Sequence, residues 1–261
     1  MNSEEVRKFV LEGSIVWTMT TNSYKYYTLN MLRSLQEVAR VPWRLCIICC
    51  DDESFLFFRR EGIPCVSWKR GEQKGQTRIA GFGSLDFMKW NRIKLNILEW
   101  FLVNAKILGV EKSLYVDGDI VFQNGPWPVL EDIWLGGGPG LLFQCDCGNA
   151  DDHSRCGYIC SGCIATLHGR IDQESCVKLY QVDEDLWQEM EKQDQPYIAR
   201  RLQTLGIPYE TLRRKLFGNG HWQKSLKWKG DSSWVLLHYN YRIGDTKKVA
   251  MKTYGHWRIP Y

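Results

Sequence analysis

The first half of the chain alternates strand-sized apolar runs with stretches of helical periodicity, and few architectures accommodate that alternation. Ser14-Ile-Val-Trp-Thr-Met-Thr20 is rich in β-branched and aromatic residues and stops at polar Thr21-Asn22-Ser23, which predicts a buried strand ending in a loop. Tyr27, Met31 and Leu35 then recur every four residues, the period of a helix packed on a sheet. Arg44-Leu-Cys-Ile-Ile-Cys-Cys50, closed by Asp51-Asp52, predicts a second buried strand, and Cys65-Val-Ser-Trp68 a shorter third. The polar, glycine-containing stretch from Gly71 to Gly83 predicts a mobile loop over the sheet edge. From Phe87 to Leu108 a long helix is expected, with Ile93, Ile97 and Phe101 at four-residue spacing. It feeds Ser113-Leu-Tyr-Val-Asp-Gly-Asp-Ile-Val-Phe122, read as one strand and the strongest strand signal in the chain. Apolar strands alternating with helices predict an α/β fold with a mostly parallel central sheet covered on both faces.

Residues 1–122 therefore read as a Rossmann-like nucleotide-binding half. The G-x-G-x-x-G fingerprint is absent after the first strand, which argues against a nicotinamide dinucleotide. After Phe122 the pattern loosens. Leu141-Leu-Phe143 and Tyr158 to Thr166 read as strands, 175–192 and 195–205 as helices, and Ser233 to His238 as a late strand. Residues 123–261 are expected to be an α+β half that supplies the acceptor side of a cleft. With 261 residues, the two halves suit one compact domain.

Composition excludes several classes. A net charge of +4, without long runs of one sign, gives no nucleic-acid footprint. The apolar runs are far shorter than the roughly 20 residues that span a bilayer, so no membrane span is expected. The first residues, Met-Asn-Ser-Glu-Glu-Val, lack the pattern of a secretory signal, and a cytoplasmic protein is expected. Ten cysteines in such a chain are read as reduced thiols rather than a disulfide framework. An alternative use of them is a zinc-stabilised module built on Cys145-x-Cys147, Cys156, Cys160-x-x-Cys163 and His153. Twelve Trp and twelve Tyr are mostly core residues by expectation, although such rings also stack on bases and on sugars.

The chemistry concentrates at Asp117-Gly118-Asp119. On an extended strand, residues two apart face the same way, so the two carboxylates are expected side by side, with Gly118 leaving room for a ligand. Strand ends in parallel sheets are where such folds bind ligands, and two hard oxygen donors suit Mn²⁺ or Mg²⁺. The residues alone leave a second reading open, a solvated turn, since Asp-Gly-Asp is ordinary turn chemistry.

A set of ordered matches extends along almost the whole chain. Asp117-Gly-Asp119 with Ile-Val-Phe122 and Pro126-Trp-Pro128, preceded by Asn30-Met-Leu-Arg-Ser-Leu35, Gly62-Ile-Pro-Cys65 and Arg92-Ile-Lys94, resembles the Asp-x-Asp region of GT-A glycosyltransferases. Ser161-Gly162, Asp194-Gln195-Pro196, Leu216-Phe-Gly-Asn-Gly220 and His238-Tyr-Asn240 leading to Gly244 and Lys247 continue the likeness. The chain resembles the nucleotide-diphospho-sugar transferase family that includes plant rhamnogalacturonan xylosyltransferases and extensin arabinosyltransferases. The resemblance implies a GT-A fold and a metal-dependent transfer of a pentose such as xylose, or of galactose, from a donor such as a UDP-sugar to a glycan or glycoprotein hydroxyl, with retention. It implies Asp117, Asp119 and His238 as ligands of Mn²⁺ or Mg²⁺, and Asp194 and Gln195 as the catalytic region. Thr20, Thr21, Asn22, Lys94, Asp117, Gly162, Asn240, Gly244 and Lys247 would then contact the nucleotide-sugar donor. By residue type alone, Asp194 also reads as a helix N-cap, Lys94 as a surface lysine and His238 as a core histidine. A phosphohydrolase of the haloacid dehalogenase type is the other enzymatic reading of Asp-x-Asp, but that family carries the motif on its first strand. Inversion would need a carboxylate base near the acceptor, for which Asp146, Asp151 and Asp152 are available.

Overall fold

A computed structural model describes residues 1–38, 45–68, 83–147, 158–221 and 233–261. The expected loop at 71–83 and the zinc candidates Cys156 and His153 lie almost wholly outside these residues, as do Asp151 and Asp152.

The chain opens with α1 (Ser3–Arg7), capped by Asn2, whose side chain accepts from the Glu4 N–H at 2.9 Å. Strand β1 (Ser14–Thr20) follows, buried at almost every position, and its β-branched and aromatic residues alternate between two cores. Ile15 and Trp17 face one, Val16 the other. Helix α2 (Lys25–Val38) buries Tyr27, Met31 and Leu35, as their spacing predicts. β2 (Leu45–Cys49) is buried throughout, and Asp51 caps α3 (Asp52–Arg60) by accepting from the Ser54 N–H at 2.8 Å. β3 is only Val66–Ser67. The long helix α4 (Leu85–Leu108) starts at an N-cap, Ser84, and stops at Gly109, whose φ of 71° is the left-handed conformation that ends helices.

Next come β4 (Lys112–Val116), β5 (Ile120–Phe122), α5 (Trp127–Leu135), β6 (Leu141–Cys145) and β7 (Ile159–Leu167). They are followed by α6 (Gln173–Tyr180), α7 (Glu184–Glu189), α8 (Asp194–Leu205), β8 (Glu210–Leu212) and β9 (Phe217–Gly218). The described chain ends through β10 (Leu236–His238) and α9 (Asp245–Thr253).

Seven strands form the main sheet in the order β3-β2-β1-β4-β7-β6-β8. The β3-β2-β1-β4 block and the β6-β8 pair are parallel, and β7 runs antiparallel to both β4 and β6. The α/β, mostly parallel expectation therefore holds. One core lies under α4 and α6–α8, where Trp17 stacks on Phe101 at 4.1 Å between ring centroids; α2 and α5 cover the other face. Among the described residues no helix is long and apolar enough to cross a membrane.

Two expectations need correction. The run from Ser113 to Phe122 is not one strand. β4 belongs to the main sheet and β5 to a separate sheet ordered β5-β10-β9. The chain leaves the main sheet at Asp117, whose N–H donates to Gly162 O at 2.8 Å, and Ile120 N–H closes the turn on Asp117 O at 3.3 Å. The helix expected over 175–192 is two helices. Asp183 caps α7 by accepting from Leu186 N–H at 3.1 Å, and Glu191 and Lys192, at φ 52° and 56°, stop it.

Candidate active site

Two segments far apart in sequence meet at the C-terminal end of β4. Asp117 and Asp119 lie on the turn between β4 and β5, and β10, paired antiparallel with β5, sets His238 opposite Ile120. Ligand atoms of Asp117, Asp119 and His238 all lie within 4.8 Å of one another. Each carboxylate is divided in its duties. Asp119 Oδ2 accepts from the Lys247 ammonium, while Oδ1 lies 3.2 Å from His238 Nε2. Asp117 Oδ1 accepts from the Tyr115 hydroxyl and, at 3.3 Å, from Lys94, while Oδ2 lies 3.8 Å from His238 Nε2. One oxygen of each is anchored, and the other converges with the imidazole on a shared point.

Glycines make this approach possible. A Cβ on Gly162 would lie 2.2 Å from His238 Cε1 and 2.7 Å from Asp117 Oδ2, so only glycine leaves that corner open. Gly118 serves differently from the expectation that it leaves room for a ligand. Its space is filled by Thr28 Oγ1, which a Cβ would meet at 2.6 Å.

Electrostatics follow from burial and pairing. Burial alone would raise the Asp119 carboxyl, but Lys247 and His238 outweigh it and hold the group well below the usual carboxylate range. Burial would lower the Lys247 and Lys94 ammoniums. Asp119 overcomes this at Lys247, and Asp117 with Asp194 at Lys94, so both lysines are raised above their ordinary value. Burial also pushes the Tyr115 hydroxyl well up, which keeps it a donor.

Lys94 is not a surface lysine. It is buried on α4, 2.8 Å from Asp194 Oδ2 and 3.2 Å from Ser161 Oγ. Nor is Asp194 the cap of α8. Gln193 holds that position, and the Asp194 carboxylate turns to Lys94 and accepts from Ser161 Oγ at 2.8 Å. Gln195 joins this group to Asp146. Its Oε1 accepts from Ser161 N–H at 3.4 Å and its Nε2 donates to Asp146 Oδ2 at 2.8 Å. Asp146 also accepts from Asn240 Nδ2 at 3.1 Å and from the Tyr241 hydroxyl. Asn240 is itself held by Gly220 N–H, 2.5 Å from its Oδ1.

At the end of β1, Thr20 Oγ1 accepts from Thr28, Thr21 Oγ1 lies 3.0 Å from Ser23 Oγ, and Asn22 N–H donates to Asp51 Oδ2 at 2.8 Å. Of these, Thr20 is linked through Thr28 to Gly118 of the carboxylate turn. Gly244, at φ 54°, precedes α9, and its carbonyl accepts from Tyr27 OH at 3.2 Å and Lys247 N–H at 3.1 Å. The first turn of α9 thus delivers Lys247 to Asp119.

A family model for nucleotide-diphospho-sugar transferases matches residues 43–251, most of the chain and every part of this cluster beyond β1, its loop and α2. The chain belongs to the nucleotide-diphospho-sugar transferase family. Solved glycosyltransferases share its fold. The galactosyltransferase LgtC, solved with donor and acceptor sugar analogs, aligns over 95% of this chain and 97% of its own, with a TM-score of 0.52 and 14% identity. GlyE of Streptococcus pneumoniae TIGR4 aligns over 94% of this chain with a TM-score of 0.52 and 14% identity. A glycosyltransferase involved in glycosylation of the major capsid of PBCV-1 aligns over 92% of this chain and 98% of its own, at 0.53 and 10%. This chain spans only 61% of the length of GlyE. No curated protein matches it in sequence. At these identities the neighbours establish the GT-A fold of the family and nothing finer.

Sequence reasoning did not single out Tyr115, Gln144, Ser161 as a side chain, or the junction role of Asp146. A signal existed for Gln144, an amide in the apolar run Leu141-Leu-Phe-Gln-Cys145 that is fully buried in the fold.

Proposed function

We propose that the chain is a metal-dependent glycosyltransferase that moves a pentose such as xylose, or galactose, from a UDP-linked donor to a hydroxyl of a glycan or glycoprotein, with retention at the anomeric carbon. The observation that carries the proposal is the convergence of Asp117 Oδ2, Asp119 Oδ1 and His238 Nε2 beside two buried lysines. Two carboxylate oxygens and one imidazole, in a corner that a Cβ on Gly162 would fill, are a donor set that fits Mn²⁺ or Mg²⁺. The family membership supplies the donor class, and the pentose or galactose, the uridine base and retention rest on the resemblance of the motifs.

In this reading Asp117, Asp119 and His238 hold the ion, which when bound supplies Lewis-acid neutralisation of the departing nucleoside diphosphate. Lys247 and the Gly244 turn stand where the distal phosphate leaves, and backbone N–H groups with an ammonium suit that charge. Thr20, Thr21 and Asn22 line the nucleotide side. Lys94, Asp194, Gln195, Gly162 and Asn240 face the donor sugar, with Asp194 and Gln195 positioned to orient its reacting carbon against the acceptor hydroxyl. Residues 1–122 bind nucleotide and 123–261 carry the acceptor side of one domain. In a reducing compartment such as the cytoplasm the described cysteines would stay the free thiols they are here.

The phosphohydrolase reading loses its basis because β1–β3 precede the acidic motif. Of the zinc alternative, Cys156 and His153 lie outside the described residues; among those described, the group whose geometry could hold a metal is Asp117, Asp119 and His238. The test is a donor-hydrolysis screen across nucleotide sugars with and without Mn²⁺, run alongside UDP binding. Turnover of a UDP-sugar that needs Mn²⁺ and is lost in Asp119→Ala is expected. No donor turned over or bound, or an unaffected Asp119→Ala, would refute the proposal.

A further inference from the structure

Gln144 is the penultimate residue of β6, with no solvent exposure, in a strand whose other residues are apolar. A buried primary amide must place two N–H donors and one acceptor oxygen. Its Nε2 donates to two main-chain carbonyls at β9, Gly218 O at 2.8 Å and Phe217 O at 3.2 Å. Carbonyls only accept, so flipping the amide would set oxygen against oxygen, and the orientation is fixed by the backbone. Oε1 must then point the other way, where it lies 2.9 Å from Nδ1 of His238.

That contact dictates the imidazole. An amide oxygen cannot donate, so Nδ1 must carry the hydrogen. The remaining neighbour of Nδ1 is Cys160 Sγ at 3.6 Å, longer and a weaker partner. With the hydrogen on Nδ1, a neutral ring has its lone pair on Nε2, the atom that faces Asp119 Oδ1 and Asp117 Oδ2. The sheet is shaped to allow this. Pairing of β6 with β7 slips between Phe143 and Gln144, so that Phe143 faces Ile164 while Gln144 faces Cys160. Irregularities of this kind re-aim a side chain next to a site.

We infer that Gln144 is a positioning residue for the metal site: the β9 carbonyls orient its amide, and the amide oxygen fixes both the tautomer and the ring plane in which His238 offers Nε2. This rests on the reading of Asp117, Asp119 and His238 as ligands. Outer partners of this kind change metal affinity by roughly 10–100-fold when removed.

The experiment measures Mn²⁺ binding to the purified protein by the electron paramagnetic resonance of free Mn²⁺, together with ¹⁵N spectra of histidine-labelled protein in Mg²⁺. Gln144→Met keeps the volume and removes the acceptor, so Mn²⁺ affinity is expected to fall by roughly 10–100-fold. Gln144→Glu keeps an acceptor oxygen at Nδ1 but turns its second oxygen toward the β9 carbonyls, so it is expected to recover only part of that loss. In the wild type the His238 signal, assigned by its absence in His238→Ala, should show a protonated Nδ1. Unchanged Mn²⁺ affinity in folded Gln144→Met overturns the inference while leaving the metal site intact. If Gln144→Met does not fold, a bare Nδ1 in the Mg²⁺-loaded wild type overturns it equally well. Absence of Mn²⁺ binding by the wild type would instead sink the metal-site reading on which it stands.

Discussion

Gly162→Ala isolates how tightly the ligand corner is built. The added Cβ would lie 2.2 Å from Cε1 and 2.9 Å from Nδ1 of His238, and 2.7 Å from Asp117 Oδ2. Carbon atoms rest at about 3.5–4.0 Å, so the ring or the strand must give by more than about 1 Å. Neither neighbour has slack. His238 is 3% exposed and tied to Gln144, and Asp117 is held by Tyr115 and Lys94. The backbone of Gly162 does not occupy the left-handed region, so the effect is steric alone. Overpacking of this kind costs about 1–3 kcal/mol. At roughly 2–4 °C per kcal/mol for a chain of this size class, the unfolding midpoint should fall by roughly 2–12 °C. A displacement of about 1 Å at a reacting centre costs on the order of 10²-fold in rate, and a similar loss of donor turnover is expected. Thermal unfolding, Mn²⁺ titration and donor turnover should be compared with Gly169→Ala, where a Cβ meets nothing within 4 Å. A Gly162→Ala protein that matches Gly169→Ala in all three measurements would refute the steric argument.

Lys247→Met leaves the buried Asp119 carboxylate without its ammonium, and urea unfolding should show a loss of about 3–5 kcal/mol, with added Mn²⁺ recovering more stability than it adds to the wild type. Gly118→Ala drives a Cβ to 2.6 Å from Thr28 Oγ1, so a double-mutant cycle with Thr28→Ala should give a coupling of roughly 0.5–3 kcal/mol, and additive effects would contradict the contact. Burial holds the His168 imidazole down at about 4, so as pH falls below about 6.5 the unfolded chain takes up its proton first. Stability should therefore drop as pH falls from about 6.5 to about 4, and His168→Gln should flatten that slope in denaturant melts.

The elements that were legible in the sequence are those whose burial repeats with one period. β1, β2, α2 and α4 each present such a pattern; the structure returns β1, β2 and α4 within a few residues of their expected ends and buries the Tyr27, Met31 and Leu35 stripe of α2. The single strand expected over 113–122 fails for a physical reason. Leu114 and Val116 on one side of the turn and Ile120 and Phe122 on the other are all fully buried, so the apolar alternation runs unbroken through a change of sheet. Hydrophobicity records burial but not which sheet does the burying. The break between α6 and α7 escaped for the opposite reason, because it depends on extended backbone at Gln181 and the Asp183 cap rather than on a lapse in periodicity.

The acidic pair, Lys94, Asp194, His238 and Lys247 were named from motifs in order, and the fold brings all of them to one place. What the motifs could not convey is how charge is distributed among them. Lys247 neutralises Asp119 from one side, and Lys94 is shared between Asp117 and Asp194. With His238 as the neutral imidazole that a metal ligand must be, three carboxylates against two ammoniums leave this inner cluster one negative charge in excess, and all but Asp117 are buried. A surplus of that sign beside the Gly244 turn repels a diphosphate, whereas one divalent cation reverses it. The same pairing explains why the two aspartates are not equivalent. Asp119 is enclosed and committed to Lys247 and His238, while Asp117, one-third exposed, spends one oxygen on Tyr115 and Lys94 and keeps the other at the mouth of the site. Asparagine at 119 therefore removes a charge that two buried groups depend on, whereas asparagine at 117 leaves Lys94 its Asp194 partner, so the former change should cost the fold more than the latter.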